Sequence, residues 1–222
     1  MSGPAYARPM TAAAWALLVC AAVAAVGDWV AVAARAKRYE YVCKPLTIAF
    51  LIGVAATVDL DVPSSTRTWF LVALLLSLLG DVFLMVPPDL FVAGLGAFLV
   101  AHVAYVAGLW SEGIAPLPFA LGLAVMVLAG IVVGGRVLRA VRAGAHAALA
   151  PPVAAYMAVI TLMVVSAIGA GRVVGVAGAL LFYCSDATIA WERFVRSHRW
   201  HRVAIIVTYH LAQAGLVLSL TT

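Results

Sequence analysis

LVALLLSLLGDVFLMV, residues 71–86, carries Ser77 and Asp81 as its only polar side chains. It is apolar without alternation, so it reads as a helix buried on all sides, in a bilayer, and not as a barrel strand. GVAGALLFYCSDATIAW, residues 175–191, repeats the arrangement around Asp186. An ionised carboxylate in hydrocarbon costs about 3 kcal/mol on insertion scales, so such a residue faces a protein interior or a wet cavity. Both aspartates are therefore candidates for function. Each is followed, one helix later, by a histidine: His102 in AHVAY (101–105) and His210 in YHLAQ (209–213).

The rest of the chain agrees with a membrane setting. Of its 222 residues 66% are hydrophobic and 10% charged, with a mean hydropathy of +1.11; soluble chains carry about 25% charged residues. Eight apolar segments are expected, at 10–34, 41–58, 69–86, 90–110, 114–133, 147–168, 173–191 and 203–220. The expected fold is all-α and polytopic, a single transmembrane domain over 1–222 with about eight spanning helices, the second one short. The run 10–34 exceeds the apolar core of a signal peptide. Pro45 and Pro116 suit first helical turns. Pro151-Pro152 starts or kinks the sixth span, and Pro87-Pro88 ends the third. Cys20, Cys43 and Cys184 have no metal-type spacing and read as packing residues.

The net charge of +5 sits in short loops between apolar runs, the pattern of a positive-inside bias, so no nucleic-acid partner is expected. With the N-terminus outside, one side collects Arg35, Lys37, Arg38, Lys44, Arg136, Arg139, Arg142, Arg193, Arg196, Arg199 and Arg202. The other holds Arg8, Arg67 and Arg172. This predicts a multi-pass protein of the cell (inner) membrane with both termini outside. The spacing of the two Asp–His series also suggests two parallel four-helix repeats, 1–112 and 113–222.

Counting along the helices puts Asp81 and Asp186 each roughly 7–8 Å inside the basic boundary, with Tyr209 roughly 10 Å in. Lys44 is expected at the mouth of the second helix, and His102 deeper, with Tyr105 one turn on. Tyr209 and Gln213, four apart, share a face. Plainer readings stand beside these. Asp81 and Asp186 are also read as structural carboxylates, Asp186 with Arg193 as an optional partner. His102 reads as an interhelical hydrogen-bonding residue, Lys44 as a snorkelling topology signal. Ser77 either bonds its own helix or orients Asp81. Asp28 and Glu40 balance nearby charges, and Trp29, Trp69, Trp110, Trp191 and Trp200 form aromatic belts.

Paired carboxylates in a membrane permit acid–base catalysis, proton or cation transport, or, with histidines, metal binding. No HExxH, GxSxG, P-loop or CxxC motif supports protease, esterase or nucleotide chemistry. The series YVCKPLTIAFLIG (41–53), SSTRTWF (64–70), LLLSLLGDVFLM (74–85), FLVAHVAYVAGL (98–109), GALLFYCSDATIAWERF (178–194) and IVTYHLAQAGL (206–216) resembles the YhhN family of integral membrane proteins, which includes the animal lysoplasmalogenases. The resemblance covers most of the chain and is weakest in the first helix and between 114 and 170. It implies hydrolysis of the vinyl ether bond of a lysoplasmalogen, or a related ether lyso-lipid, to a fatty aldehyde and a glycerophospho-headgroup. It further implies Asp81 and Asp186 as the catalytic acid and base in an unassigned order. Lys44, His102, Tyr105, Tyr209 and Gln213 would contact substrate or orient these groups, Lys44 at the lipid phosphate. No cofactor or metal is required. The family pattern carries Tyr where His210 stands, which sets His210 aside as a catalyst. A proton-coupled transporter and a metal-dependent lipid hydrolase are the alternatives.

Overall fold

The computed structural model describes residues 10–87 and 89–221. Arg8 and Pro88, two residues of the sequence reading, lie outside the described residues. The elements are α1 (Ala12–Ala33), α2 (Lys37–Thr57), α3 (Ser64–Met85), α4 (Phe91–Ser111), α5 (Pro116–Ala129), α6 (Gly135–Ala143), α7 (Ala150–Ala170), α8 (Val173–Phe194) and α9 (His201–Leu218). A π-turn, Gly130–Gly134, joins α5 to α6 in one continuous rod. Counting that rod once, eight helices are long and apolar enough to cross a bilayer, and the described residues hold no strand. The chain is an integral, multi-pass membrane protein.

Local chemistry sets most helix ends. Thr11 caps α1, its Oγ1 accepting from the Ala14 N–H at 3.0 Å. Pro116 and Pro151 occupy first turns, where a missing N–H costs nothing. Gly171, at φ +81°, closes α7 in the left-handed conformation glycine adopts freely. Val86 is extended ahead of Pro87, as a residue before proline prefers.

Two spans are longer than the apolar runs suggested. α2 begins at Lys37, so the second span has 21 residues and is not short. Pro45 lies inside the helix, not in its first turn. The fifth span runs on through the π-turn to Ala143, 28 residues in all. In both cases the helix continues into charged residues, which need no hydrocarbon contact but still form backbone hydrogen bonds.

The spans pack as antiparallel hairpins, α1 with α2, α3 with α4, and α8 with α9, while α9 also meets α1 and α2, and α7 meets α4 and α5. Small residues permit the closest crossings. At Gly178 an added Cβ would stand 2.8 Å from the Leu216 nitrogen and 2.9 Å from the Ala212 oxygen, so α8 and α9 touch through backbone. The ends of the bundle differ. At one end lie the arginine-rich turns, here called the basic end. At the other, Arg172 Nε donates to Glu112 at 2.6 Å and Arg172 Nη2 to the Asp61 carbonyl at 2.7 Å. Burial pushes the Glu112 carboxyl above its ordinary value, and Arg172 draws it back.

Candidate active site

Asp81 sits on α3, buried to 1% exposure. The Lys44 ammonium stands 2.9 Å from its Oδ1, at ion-pair distance but outside hydrogen-bond geometry. Tyr209 donates to its Oδ2 at 2.7 Å. Behind Tyr209 the order continues: Tyr105 donates to Gln213 Oε1 at 2.5 Å, and Gln213 Nε2 donates to the Tyr209 hydroxyl at 3.4 Å. Every donor in this buried series points toward Asp81. A carboxylate facing an ammonium and accepting a phenol proton is the ionised form.

Asp186 has a different company. The Tyr156 hydroxyl of α7 donates to its Oδ2 in a short contact. His102 Nε2 lies 3.7 Å from the same oxygen. On the other side of that ring, His102 Nδ1 is 2.6 Å from the Phe98 carbonyl. A carbonyl only accepts, so Nδ1 carries the proton and Nε2 of the neutral ring is a bare lone pair. That lone pair faces a carboxyl oxygen, and among the described residues Nε2 has no hydrogen-bond partner. At 3.7 Å the two are beyond hydrogen-bond distance, and a proton on Asp186 or on the imidazole would let them close into one.

α8 extends to Phe194, eight residues past Asp186, whereas α3 ends at Met85, four residues past Asp81. His102 reaches Asp186 despite a deeper backbone, because side chains lean toward the N-terminus of their own helix. α4 and α8 run in opposite directions, so the two side chains lean toward each other. The histidines also cross over relative to the sequence series. His102 meets Asp186, not Asp81, and His210 meets Asp28, at 3.9 Å.

A narrow cavity of about 70 Å³ opens beside Asp186. Leu95, Phe98, Val137, Ile160 and Ala190 are among its mostly apolar walls, and Asp186, Tyr156 and Tyr183 are its polar exceptions. Gly134, in the π-turn, belongs to the wall against Met157, whose Cε leaves no room for a Cβ there. Asp81, Lys44, His102, Tyr105, Tyr209 and Gln213 are absent from the lining. An aromatic layer separates the two centres: Phe98 and Phe182 pack edge-on to Tyr209 at 5.8 and 5.5 Å, and Phe182 lies 4.6 Å from His102.

A model of the YhhN family matches residues 39–220. The chain belongs to the YhhN family. Among its relatives, lysoplasmalogenase TMEM86B of Rattus norvegicus is 34% identical over 180 residues, 80% of this chain and 70% of that protein. Lysoplasmalogenase TMEM86B of Homo sapiens is 35% identical over 147 residues, 66% of this chain and 61% of that protein. Lysoplasmalogenase TMEM86A of Homo sapiens is 33% identical over 168 residues, 71% and 66% of the two chains. The chain thus spans 61–70% of the length of these relatives. No solved structure matches it.

Both aspartates and all five helper residues fall inside the YhhN match. Several differ in setting from the sequence reading. Lys44 is well inside α2 against Asp81, away from the helix mouth expected for a phosphate contact. Tyr105 and Gln213 are buried in the series behind Asp81 and do not line the cavity beside Asp186. Arg193 pairs with Asp89, at 2.7 Å, leaving Asp186 to Tyr156 and His102. Ser77 Oγ bonds neither its helix nor Asp81. Asp28 is fully buried and is no surface charge balancer, whereas Glu40 does pair with Arg202 at 3.0 Å. Trp29 and Trp110 hydrogen-bond to His210 and Ser166, beyond any belt role. Tyr156 escaped notice because no motif surrounds it; its one signal is being the sole tyrosine of its span. Among the described residues no three His, Cys, Asp or Glu side chains converge as a metal donor set.

Proposed function

We propose that this protein is a membrane-embedded hydrolase of lysoplasmalogen type, cleaving the vinyl ether of a lysoplasmalogen or a related ether lyso-lipid. The observation that carries this reading is Asp186, held by Tyr156 and facing His102, on the wall of an apolar cavity. The cavity takes the alkenyl chain. Family membership and the names of the relatives supply the substrate class.

The reaction begins when the Asp186 carboxyl protonates the outer alkene carbon. The alkene π pair forms the new C–H bond, leaving an oxocarbenium ion. Water adds to that cation and returns its proton to Asp186. The hemiacetal C–O bond then breaks, and the hydroxyl proton ends on the departing glycerol oxygen. The products are a fatty aldehyde and a glycerophospho-headgroup, with Asp186 reset. Asp81, held ionised by Lys44 and Tyr209, supplies a fixed negative charge behind the aromatic layer that favours the cation. His102 holds the Asp186 proton in place and does not touch the lipid. With the basic end at the cytoplasmic side of the inner membrane, as the arginine bias argues, the cavity mouth lies in the inner leaflet and both termini lie outside.

Purified protein and a lysoplasmalogen provide the test, with aldehyde release as the readout. Asp186→Asn and Asp81→Asn should each lower kcat by roughly 10²–10⁴-fold. His102→Phe should lower kcat with little change in KM. An inactive wild type, or full activity in either aspartate variant, removes the proposal.

A further inference from the structure

The turn between α8 and α9 reads VRSHRWHR, residues 195–202, and the turn between α1 and α2 adds Arg35. A topology bias accounts for the number of these arginines but not for a cavity among them. The two turns enclose a pocket of about 420 Å³ at the basic end, with Arg35, Arg199 and Arg202 in its walls. Glu40 neutralises Arg202, at 3.0 Å. Arg35 and Arg199 pair with no carboxylate among the described residues. Arg199 lies over the exposed Trp200 ring instead, 5.1 Å from its centroid. Arg35 follows the last turn of α1 at φ +57°, where glycine is the unstrained residue. The acid in the wall is Glu192, which accepts from Ser197 at 3.3 Å. Three arginines against Glu40 and Glu192 leave the pocket one positive charge in excess.

Val32, Ala33 and Val203 give the pocket an apolar floor. Further into the bundle an apolar groove of about 130 Å³ holds Leu18, Ala22, Ala25 and Trp29 of α1 opposite Leu211 and Ala214 of α9. The α1 positions step back from Ala33 by three or four residues at a time, and Leu211 follows Val203 by eight. Groove and pocket therefore lie on the same faces of the two helices, with Trp29 roughly 6 Å from Ala33 along α1. The exposed Ala22, Val26 and Leu211 turn the groove toward lipid. No residue of either lines the cavity beside Asp186.

We propose that this pocket holds the phosphodiester of an anionic phospholipid with a hydroxyl-bearing head, such as phosphatidylglycerol, with one acyl chain in the groove. A phosphodiester carries one negative charge, and its free oxygens accept from guanidinium groups. Glu192 accepts from a head-group hydroxyl. A zwitterionic head would bring an ammonium to the arginines, and a dianionic monoester a second charge toward Glu192. The groove on the same seam favours a lipid over free phosphate. The site does not depend on the proposed reaction, and its test reads no activity.

The test is native mass spectrometry of the full chain released from nanodiscs of equal phosphatidylglycerol and phosphatidylcholine, with retained lipid as the readout. Phosphatidylglycerol should be retained over phosphatidylcholine. Arg35→Gln with Arg199→Gln should lower that retention roughly twentyfold, about fivefold per charge. Arg139→Gln with Arg142→Gln, on α6 and outside the pocket, should leave it unchanged. Ala22→Phe should lower it with every arginine in place, and added inorganic phosphate should not displace the lipid. All five substituted residues are exposed, so the variants keep the fold. Unchanged retention in the Arg35/Arg199 pair, or an equal loss in both arginine pairs, overturns the proposal in favour of a diffuse surface charge. Displacement by phosphate, or full retention in Ala22→Phe, overturns it in favour of a free-anion site.

Discussion

Lys44 and Asp81 form a buried ion pair, and such pairs are most informative when halved. Lys44→Met leaves a carboxylate in a low-dielectric site with only Tyr209 for support. The loss of stability should be on the order of 3 kcal/mol, seen as a lower thermal midpoint in detergent. Adding Asp81→Asn to that variant should restore most of it; an unchanged midpoint in Lys44→Met alone would show that the pair contributes nothing. The enclosure of both aspartates was legible in the sequence, because a charge inside an apolar run is costly anywhere. Their unequal settings were not. Which aspartate meets His102 depends on side-chain lean between antiparallel helices, and counting residues along one helix omits that lean. Tyr156 decides the environment of Asp186, yet a tyrosine in an apolar helix carries no pattern of its own.

Helix identity followed from apolar length alone, whereas helix ends did not. α2 and the fifth span both continue past their last apolar residue, since Lys37–Glu40 and Arg136–Arg142 satisfy their backbones in helix while leaving the hydrocarbon. The close crossing of α8 and α9 was equally unreadable, because Gly178 and Gly215 matter only once they face each other. Tyr209 and Asp186 lie on those two helices. Gly178→Leu should force the helices apart and cost about 1–3 kcal/mol, the range for overpacking. Aldehyde release should fall with it, even though residue 178 touches neither aspartate. A midpoint equal to wild type would mean that the crossing yields without strain.

The whole bundle is tied at the end far from the proposed chemistry, where Arg172 joins the α2–α3 turn, the end of α4 and the start of α8. Burial raises the Glu112 carboxyl, so Arg172→Met leaves an acid that is costly only when ionised. The folded protein then holds its proton to higher pH than the unfolded chain, and stability is lost as pH rises. The variant should lose more thermal stability at pH 8 than at pH 5, and equal losses would exclude Glu112 as the cause. At this scale the two settings, Asp81 paired with Lys44 behind an aromatic layer and Asp186 at the cavity, bear on one proposed event, transfer of a proton to carbon. Hydrolysis of a lysoplasmalogen in deuterium oxide tests that event, with the aldehyde reduced at once and weighed by mass spectrometry. The account predicts one deuterium on the carbon next to the carbonyl carbon, and loss of product in Asp186→Asn. Aldehyde released without that deuterium would contradict it.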